Sequence, residues 1–184
     1  MAMRQNIYSE DRSDSDKYFY DNNEIKELLS NTGIFGTITD NLKPASKEDD
    51  NNKVTDTWIN GFPVQVRVQF TENMKKPVEE YHPTIRYMRL YQTTEVRKLI
   101  MMYEKKEKLP CLVWLLVDRG KRLIKKLIIV DLEKIIRSRG EKFEVDKLYK
   151  LTTDYQVIEN KDNTTSFLIL NNTDDYLYSY ISDN

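Results

Sequence analysis

Apolar positions along this chain fall in short blocks whose spacing alternates between the helical and the strand period, with polar runs between the blocks. Asn22 or Asn23 can cap a helix running to about Asn31, because a side-chain oxygen there accepts from an otherwise orphaned amide. Ile25, Leu28 and Leu29 then share one face, and Gly33 stops the helix. Ile34 to Thr39 reads as a first strand, and the polar stretch from Asp40 to Lys53, which contains Pro44, as an exposed loop. Val54 to Ile59 and Phe62 to Phe70 flank Asn60-Gly61, the dipeptide that most favours a two-residue type I′ turn because both of its positions need positive φ. That turn predicts a register: Ile59 opposite Phe62, Trp58 opposite Pro63, Thr57 opposite Val64, Asp56 opposite Gln65 and Val54 opposite Arg67. In the second strand Val64, Val66, Val68 and Phe70 share one side and Gln65, Arg67 and Gln69 the other, so Asp56 is expected to join Gln65 and Arg67 in one polar cluster.

Further along, Thr84 to Tyr91 reads as a short strand or connector. Thr94 is placed to cap a helix to about Lys108 with Val96, Leu99, Ile100 and Tyr103 as its apolar stripe, and Pro110 ends it. Leu112 to Val117 is a continuous apolar run suited to a buried strand, and Gly120 allows a turn into the strand Leu123 to Val130. Asp131 caps another helix, to about Ser138. Residues 140–152 read as a connector. Asp154 to Glu159 and Ser166 to Leu170 form a hairpin over Asn160 to Thr165, and Asp174 to Asn184 is a Tyr-rich acidic end. The expected fold is α/β, with a central mixed sheet flanked by helices and a C-terminal hairpin extension. Residues 1–21 are read as a flexible acidic tail, with Tyr18, Phe19 and Tyr20 as its docking residues. Residues 22–184 are read as one domain, with its core over about 23–139 and its hairpin and acidic end over 140–184.

Composition narrows the picture. No run approaches the roughly 18 apolar residues of a membrane span, and the N-terminus is acidic where a signal peptide is basic and then apolar, so a cytoplasmic location with no membrane partner is expected. Cys111 is the only cysteine and lies in an apolar run, which sets aside disulfides and cysteine-based zinc sites. His82 is the only histidine, leaving little for histidine-based catalysis, and no phosphate-binding glycine loop is present. Net charge is −1, but it is distributed unevenly. Between Arg86 and Lys126 twelve basic residues stand against four acidic ones, whereas Asp154 to Asn184 holds six acids and one lysine. Arg86, Arg89, Arg97, Lys98, Arg119, Lys121 and Arg122 are therefore the candidate contacts to a polyanion, with Tyr87 and Tyr91 placed to stack on bases.

An acidic helix, a strand Asp, a second strand bearing Gln-x-Arg, then a helix and a buried strand resemble the PD-(D/E)xK nuclease-like superfamily, with Gln65 and Arg67 standing where that family carries Glu and Lys. The resemblance covers roughly residues 23–135. It implies a restriction-endonuclease-like core of order α-β-β-β-α-β and a metal-dependent endonuclease acting on DNA, with Mg²⁺ or Mn²⁺ as cofactor, often as a homodimer. By similarity Asp56 is the principal metal ligand, Gln65 and the main chain of Val66 add to the shell, and Glu24 or Glu27 completes it from the helix. Catalysis would rest on Asp56, Gln65, Arg67 and Glu27. Asp49 and Asp50 are spare carboxylates able to assist Asp56. Two departures weigh on the chemistry, since Gln65 is neutral and Arg67 cannot give up its proton, although it can still clamp a phosphate. Two further readings thus stand beside the nuclease: a catalytically inactive relative that binds nucleic acid, and a regulatory or assembly protein of a phage or mobile element working through the acidic C-terminus.

Overall fold

The computed structural model describes residues 14–89, 95–138, 156–159 and 165–183. The connector over 140–152, the Thr94 cap and all of the Asn160–Thr165 turn except Thr165 lie outside them, as do residues 1–13. Helices are α1 (residues 14–21), α2 (Asn23–Asn31), α3 (Lys47–Lys53), α4 (Glu95–Glu104) and α5 (Leu132–Arg137). Strands are β1 (Thr57–Ile59), β2 (Phe62–Thr71), β3 (Thr84–Arg89), β4 (Cys111–Asp118), β5 (Leu123–Val130), β6 (Val157–Glu159), β7 (Thr165–Ile169) and β8 (Tyr176–Ile181).

The fold is α/β around a mixed five-stranded sheet in the order β1-β2-β4-β5-β8, with a second sheet in the order β3-β7-β6. β2 and β4 run parallel, with Val64 beside Cys111 and Thr71 beside Asp118, and every other neighbouring pair is antiparallel. A parallel pair needs a crossover, and β3 with α4 supplies it. The sheet has an apolar layer on each face. On one, Val64, Val113, Leu115, Leu127 and Ile129 meet Phe19 of α1, Ile25 and Leu29 of α2, and Phe35 and Ile38. On the other, Leu112, Trp114, Leu116, Ile128 and Val130 meet Val96 and Leu99 of α4, Ile135 and Ile136 of α5, and Ile85 and Leu168 of the small sheet. β4 and β5, covered on both sides, are the continuous apolar runs expected of central strands. Among the described residues no helix is long and apolar enough to cross a membrane.

Local chemistry sets the boundaries. Asn60 and Gly61 take φ of 48° and 83°, and the ladder pairs Thr57 with Val64, Trp58 with Pro63 and Ile59 with Phe62, the register that Asn60-Gly61 predicts. The Asn22 side chain accepts from Glu24 N–H at the start of α2, and Asp131 accepts from Lys134 N–H at the start of α5. Four expectations need correction. Ile34 to Thr39 is not a strand; Phe35 and Ile38 are buried from irregular backbone that turns through Gly36 at φ 74°. The expected loop before β1 contains α3, capped by Ser46 accepting from Asp49 N–H. Residues 14–21, read as tail, are helical and bury Phe19 completely. The acidic end holds β8, which pairs with β5 along the sheet edge.

Lys126, the last of the twelve basic residues that begin with Arg86, is 4% exposed. Its ammonium donates to the carbonyls of Val78, Glu79 and Tyr81 at 3.2, 3.4 and 2.9 Å, tying the 3₁₀ turn Val78–Glu80 to the face of the sheet. Burial lowers its pKa, and the nearby Glu79 charge opposes that shift. Lys126→Met keeps the stem but leaves three carbonyls without their donor. It is expected to cost about 1–3 kcal/mol, read as a lower urea midpoint at unchanged slope.

Candidate functional site

β1 is short because the chain leaves α3 through Val54 in the left-handed region at φ 50°. A β-branched residue there is strained, and burial to 4% exposure holds it in place. The bend brings Asp56 to the end of β1, where the ladder to β2 stops: Asp56 N–H donates to Val64 O at 2.9 Å, and its Oδ2 accepts from Val66 N–H at 2.7 Å. A strand N–H points in the plane of its sheet, so this carboxylate sits at the sheet edge as a substitute for the missing strand and not on the face that carries Gln65. The Asp56 carbonyl in turn accepts from Tyr20 Oη at 3.0 Å and from Ala45 N–H at 2.7 Å.

Gln65 and Arg67 share a face, as the alternation requires, since they lie beside Leu112 and Trp114. Gln65 is 4% exposed, and its Oε1 has no hydrogen-bond partner. Arg67 reaches Glu95 at the start of α4, with its Nη2 at 2.9 and 3.2 Å from the two carboxylate oxygens. Glu95 Oε2 also accepts from Arg86 N–H at 3.0 Å, so one carboxylate holds β2, β3 and α4 together. Glu24 and Glu27 are exposed on α2, whose buried residues pack on the opposite face. The sheet therefore lies between the helix glutamates and the Gln65–Arg67 pair. Asp49 accepts from the Trp58 indole N–H at 3.1 Å, which with Lys53 holds its pKa below the usual carboxylate range, and it belongs to α3.

The residues expected to form a metal shell, Asp56, Gln65, Val66 and Glu24, thus sit at a sheet edge, on one face and on the other, and do not converge. Val66 contributes an amide to Asp56. Among the described residues no group of three or more His, Cys, Asp or Glu side chains is placed to hold a metal ion. The expected polar cluster of Asp56 with Gln65 and Arg67 resolves into two separate devices, a carboxylate closing a ladder and an ion pair joining β2 to α4. Glu95 and Tyr20, which complete these devices, carry no signal in local sequence because their partners are distant along the chain.

The basic residues divide between two places. Arg97 is exposed and Lys98 half-buried on α4, Arg86 is half-buried on β3, and the side chain of Arg89, like those of Tyr87 and Tyr91, lies outside the described residues. Arg119, Lys121 and Arg122 are exposed together on the β4–β5 turn. This turn is braced: Asp118 Oδ1 accepts from Lys121 N–H at 3.1 Å, Arg119 N–H donates to Thr71 O at 3.0 Å, and the Arg119 guanidinium lies 4.3 Å from the Phe70 ring centroid. The linker leaving β2 at this same end of the sheet carries Lys75 and Lys76, both exposed.

Asp56→Asn, which keeps an acceptor oxygen for Val66 N–H, should fold with a near-native midpoint, whereas Asp56→Ala leaves that amide unpaired and should cost about 1–3 kcal/mol by urea denaturation. Alkaline pH provides a second check. Burial, with the Asp56 charge second, raises the Tyr20 phenol, and burial likewise raises Tyr18 and pushes Tyr176 up to about 12. Folding thus favours the neutral phenols. Their contribution is complete below the ordinary phenol value of 10.0 and falls as pH rises toward the folded values. Stability should fall from about pH 10 upward, and less steeply in Tyr20→Phe, measured by denaturant midpoints across that range. Comparisons with protein-family models, curated proteins and solved structures each find no match to this chain.

Proposed function

We propose that this protein binds nucleic acid without hydrolysing it, holding the phosphate backbone at the braced β4–β5 turn. The reading rests on one observation: Arg119, Lys121 and Arg122 project together from a turn between the two most buried strands. Cations on such a support are already positioned, so little side-chain and loop ordering opposes contact with phosphates. Lys75 and Lys76 extend the basic end of the sheet. The ion pair of Arg119 with Asp14 at 3.9 Å is exposed on both sides, and a phosphate can displace it at small cost. Asp14 and the acid Asp183 at the end of β8 keep this surface only moderately positive, in line with weak, sequence-tolerant binding.

Hydrolysis by the PD-(D/E)xK route requires Asp56, Gln65 and a helix glutamate around one divalent ion. The engagement of Asp56 with Val66 and the position of Glu24 and Glu27 across the sheet favour the binding reading over it.

Fluorescence anisotropy with labelled single- and double-stranded DNA and RNA, titrated from low to physiological salt, tests the proposal. About three phosphate contacts predict a slope of log K against log salt of about −2 to −3. Alanine at Arg119, Lys121 and Arg122 together should abolish most of the binding, and Asp56→Asn should leave it intact. Salt-independent binding, or binding untouched by the triple substitution, would overturn the proposal. Probe cleavage that needs Mg²⁺ or Mn²⁺ and disappears in Asp56→Asn would establish the nuclease instead.

A further inference from the structure

The order β1-β2-β4-β5-β8 leaves the large sheet two edges. The β1 edge is closed, because Pro44 bridges to Thr57, Thr57 Oγ1 donates to Lys43 O at 2.6 Å and Ala45 N–H donates to Asp56 O at 2.7 Å. The β8 edge differs. Tyr176–Ile181 has no proline or charged residue to blunt it, and among the described residues it pairs only with β5. Ser182 N–H donates to Lys125 O at 3.0 Å, which fixes the phase of the strand. Tyr178 and Tyr180, like Ser182, turn their backbone groups toward β5, so Ser179 and Ile181 turn theirs outward. A register shift at the β5 end leaves Leu177 without a β5 partner. Leu177 and Ile181 stand at equal spacing on either side of Ser179 and are 47% and 40% exposed, among the most exposed large apolar residues of the described chain.

We propose that two copies of this chain pair antiparallel through β8 about a two-fold axis at Ser179, joining their five-stranded sheets into one. This strand is self-complementary in that register alone. Ser179 meets its own copy with outward backbone groups facing each other, and Leu177 of each copy lies opposite Ile181 of the other, so all four exposed apolar side chains gain a cross-strand neighbour. Centring on Tyr178 would set Ile181 against Asp175, and centring on Tyr180 would set Leu177 against Asp183. A shift by one residue would oppose outward-facing to inward-facing groups. Asp175, just before the strand, is 7% exposed, so the ladder centred on Ser179 ends without a facing pair of surface carboxylates. Backbone pairing and burial of Leu177 and Ile181 drive the association, so added salt does not weaken it, unlike phosphate binding. One strand pair is a small interface, and the dimer is expected in the micromolar range.

Sedimentation equilibrium of the full chain across the micromolar range, at low and high salt, tests this. The wild type should pass from monomer to dimer, and high salt should not dissociate it. Ser179→Pro, which removes an outward N–H without touching the β5 ladder, should be monomeric with an unchanged unfolding midpoint. A mixture of Leu177→Cys and Ile181→Cys chains should form a disulfide-linked dimer under mild oxidation, whereas neither variant alone should, because only positions 177 and 181 are opposed. The natural Cys111 does not compete, since burial pushes its thiol up to about 12. A wild type that stays monomeric at every concentration and salt would overturn the proposal. So would a dimer that survives Ser179→Pro and gives no mixed cross-link. Should Ser179→Pro fail to fold, the cysteine mixture decides. Neither outcome depends on nucleic-acid binding, which is read separately by anisotropy and is lost in high salt.

Discussion

The carboxylate of Glu95 holds the architecture together. It receives the Arg67 guanidinium from the central part of β2 and the Arg86 amide from β3 while belonging to the first turn of α4. Three elements from two sheets and a helix thereby share one acceptor. An acid at a helix N-terminus is already favoured by the helix dipole, and the Arg67 charge offsets the cost of partial burial, with the pair 23% and 18% exposed. The crossover between the parallel strands β2 and β4 passes through this point, so the packing of α4 and the small sheet on Trp114 and Leu116 depends on it.

The same contact accounts for the fate of the candidate chemistry. A guanidinium satisfied by a carboxylate is a structural cation, and Asp56, whose Oδ2 closes the ladder on Val66, is a structural anion. Of the polar residues that resemble a catalytic set, Asp56 and Arg67 are engaged within the fold, whereas Gln65 Oε1 is buried without a partner and Glu27 is exposed across the sheet. Three exposed cations stand together on the β4–β5 turn, where rigidity comes from the strands below and from Asp118 and Phe70 beside it.

Much of the fold was legible in the sequence where a local rule decides the outcome. Asn60-Gly61 fixed a register because positive φ at two consecutive positions admits few turns, and Asp131 marked α5 because a carboxylate before an apolar stripe has an amide to satisfy. The continuous apolar runs marked β4 and β5. Failures came where local pattern and environment part. α3 buries none of its residues, so no periodicity announces it; Ser46 with Asp49 three positions on was its readable signal. Ile34 to Thr39 reads like a strand, yet only Phe35 and Ile38 are buried, three positions apart and without a ladder. β8 alternates Tyr with Leu, Ser and Ile, a strand period that the flanking acids mask. The site was less legible than the fold, since Glu95 lies 28 positions from Arg67 and Tyr20 lies 36 from Asp56.

The parallel pairing of β2 with β4 also bears on how the chain reaches this structure. β4 and β5 are joined by a short turn and can associate early, but β2 finds β4 only after the whole of β3 and α4 has been threaded between them, and β8 reaches β5 from beyond α5 and the small sheet. Loop-closure entropy must be met before these distant pairings return any energy, which places the chain among slow, non-local folders. The strand that completes the edge of the sheet comes after all the others described, so until β8 has been made and docked, β5 presents an open backbone ladder to its surroundings.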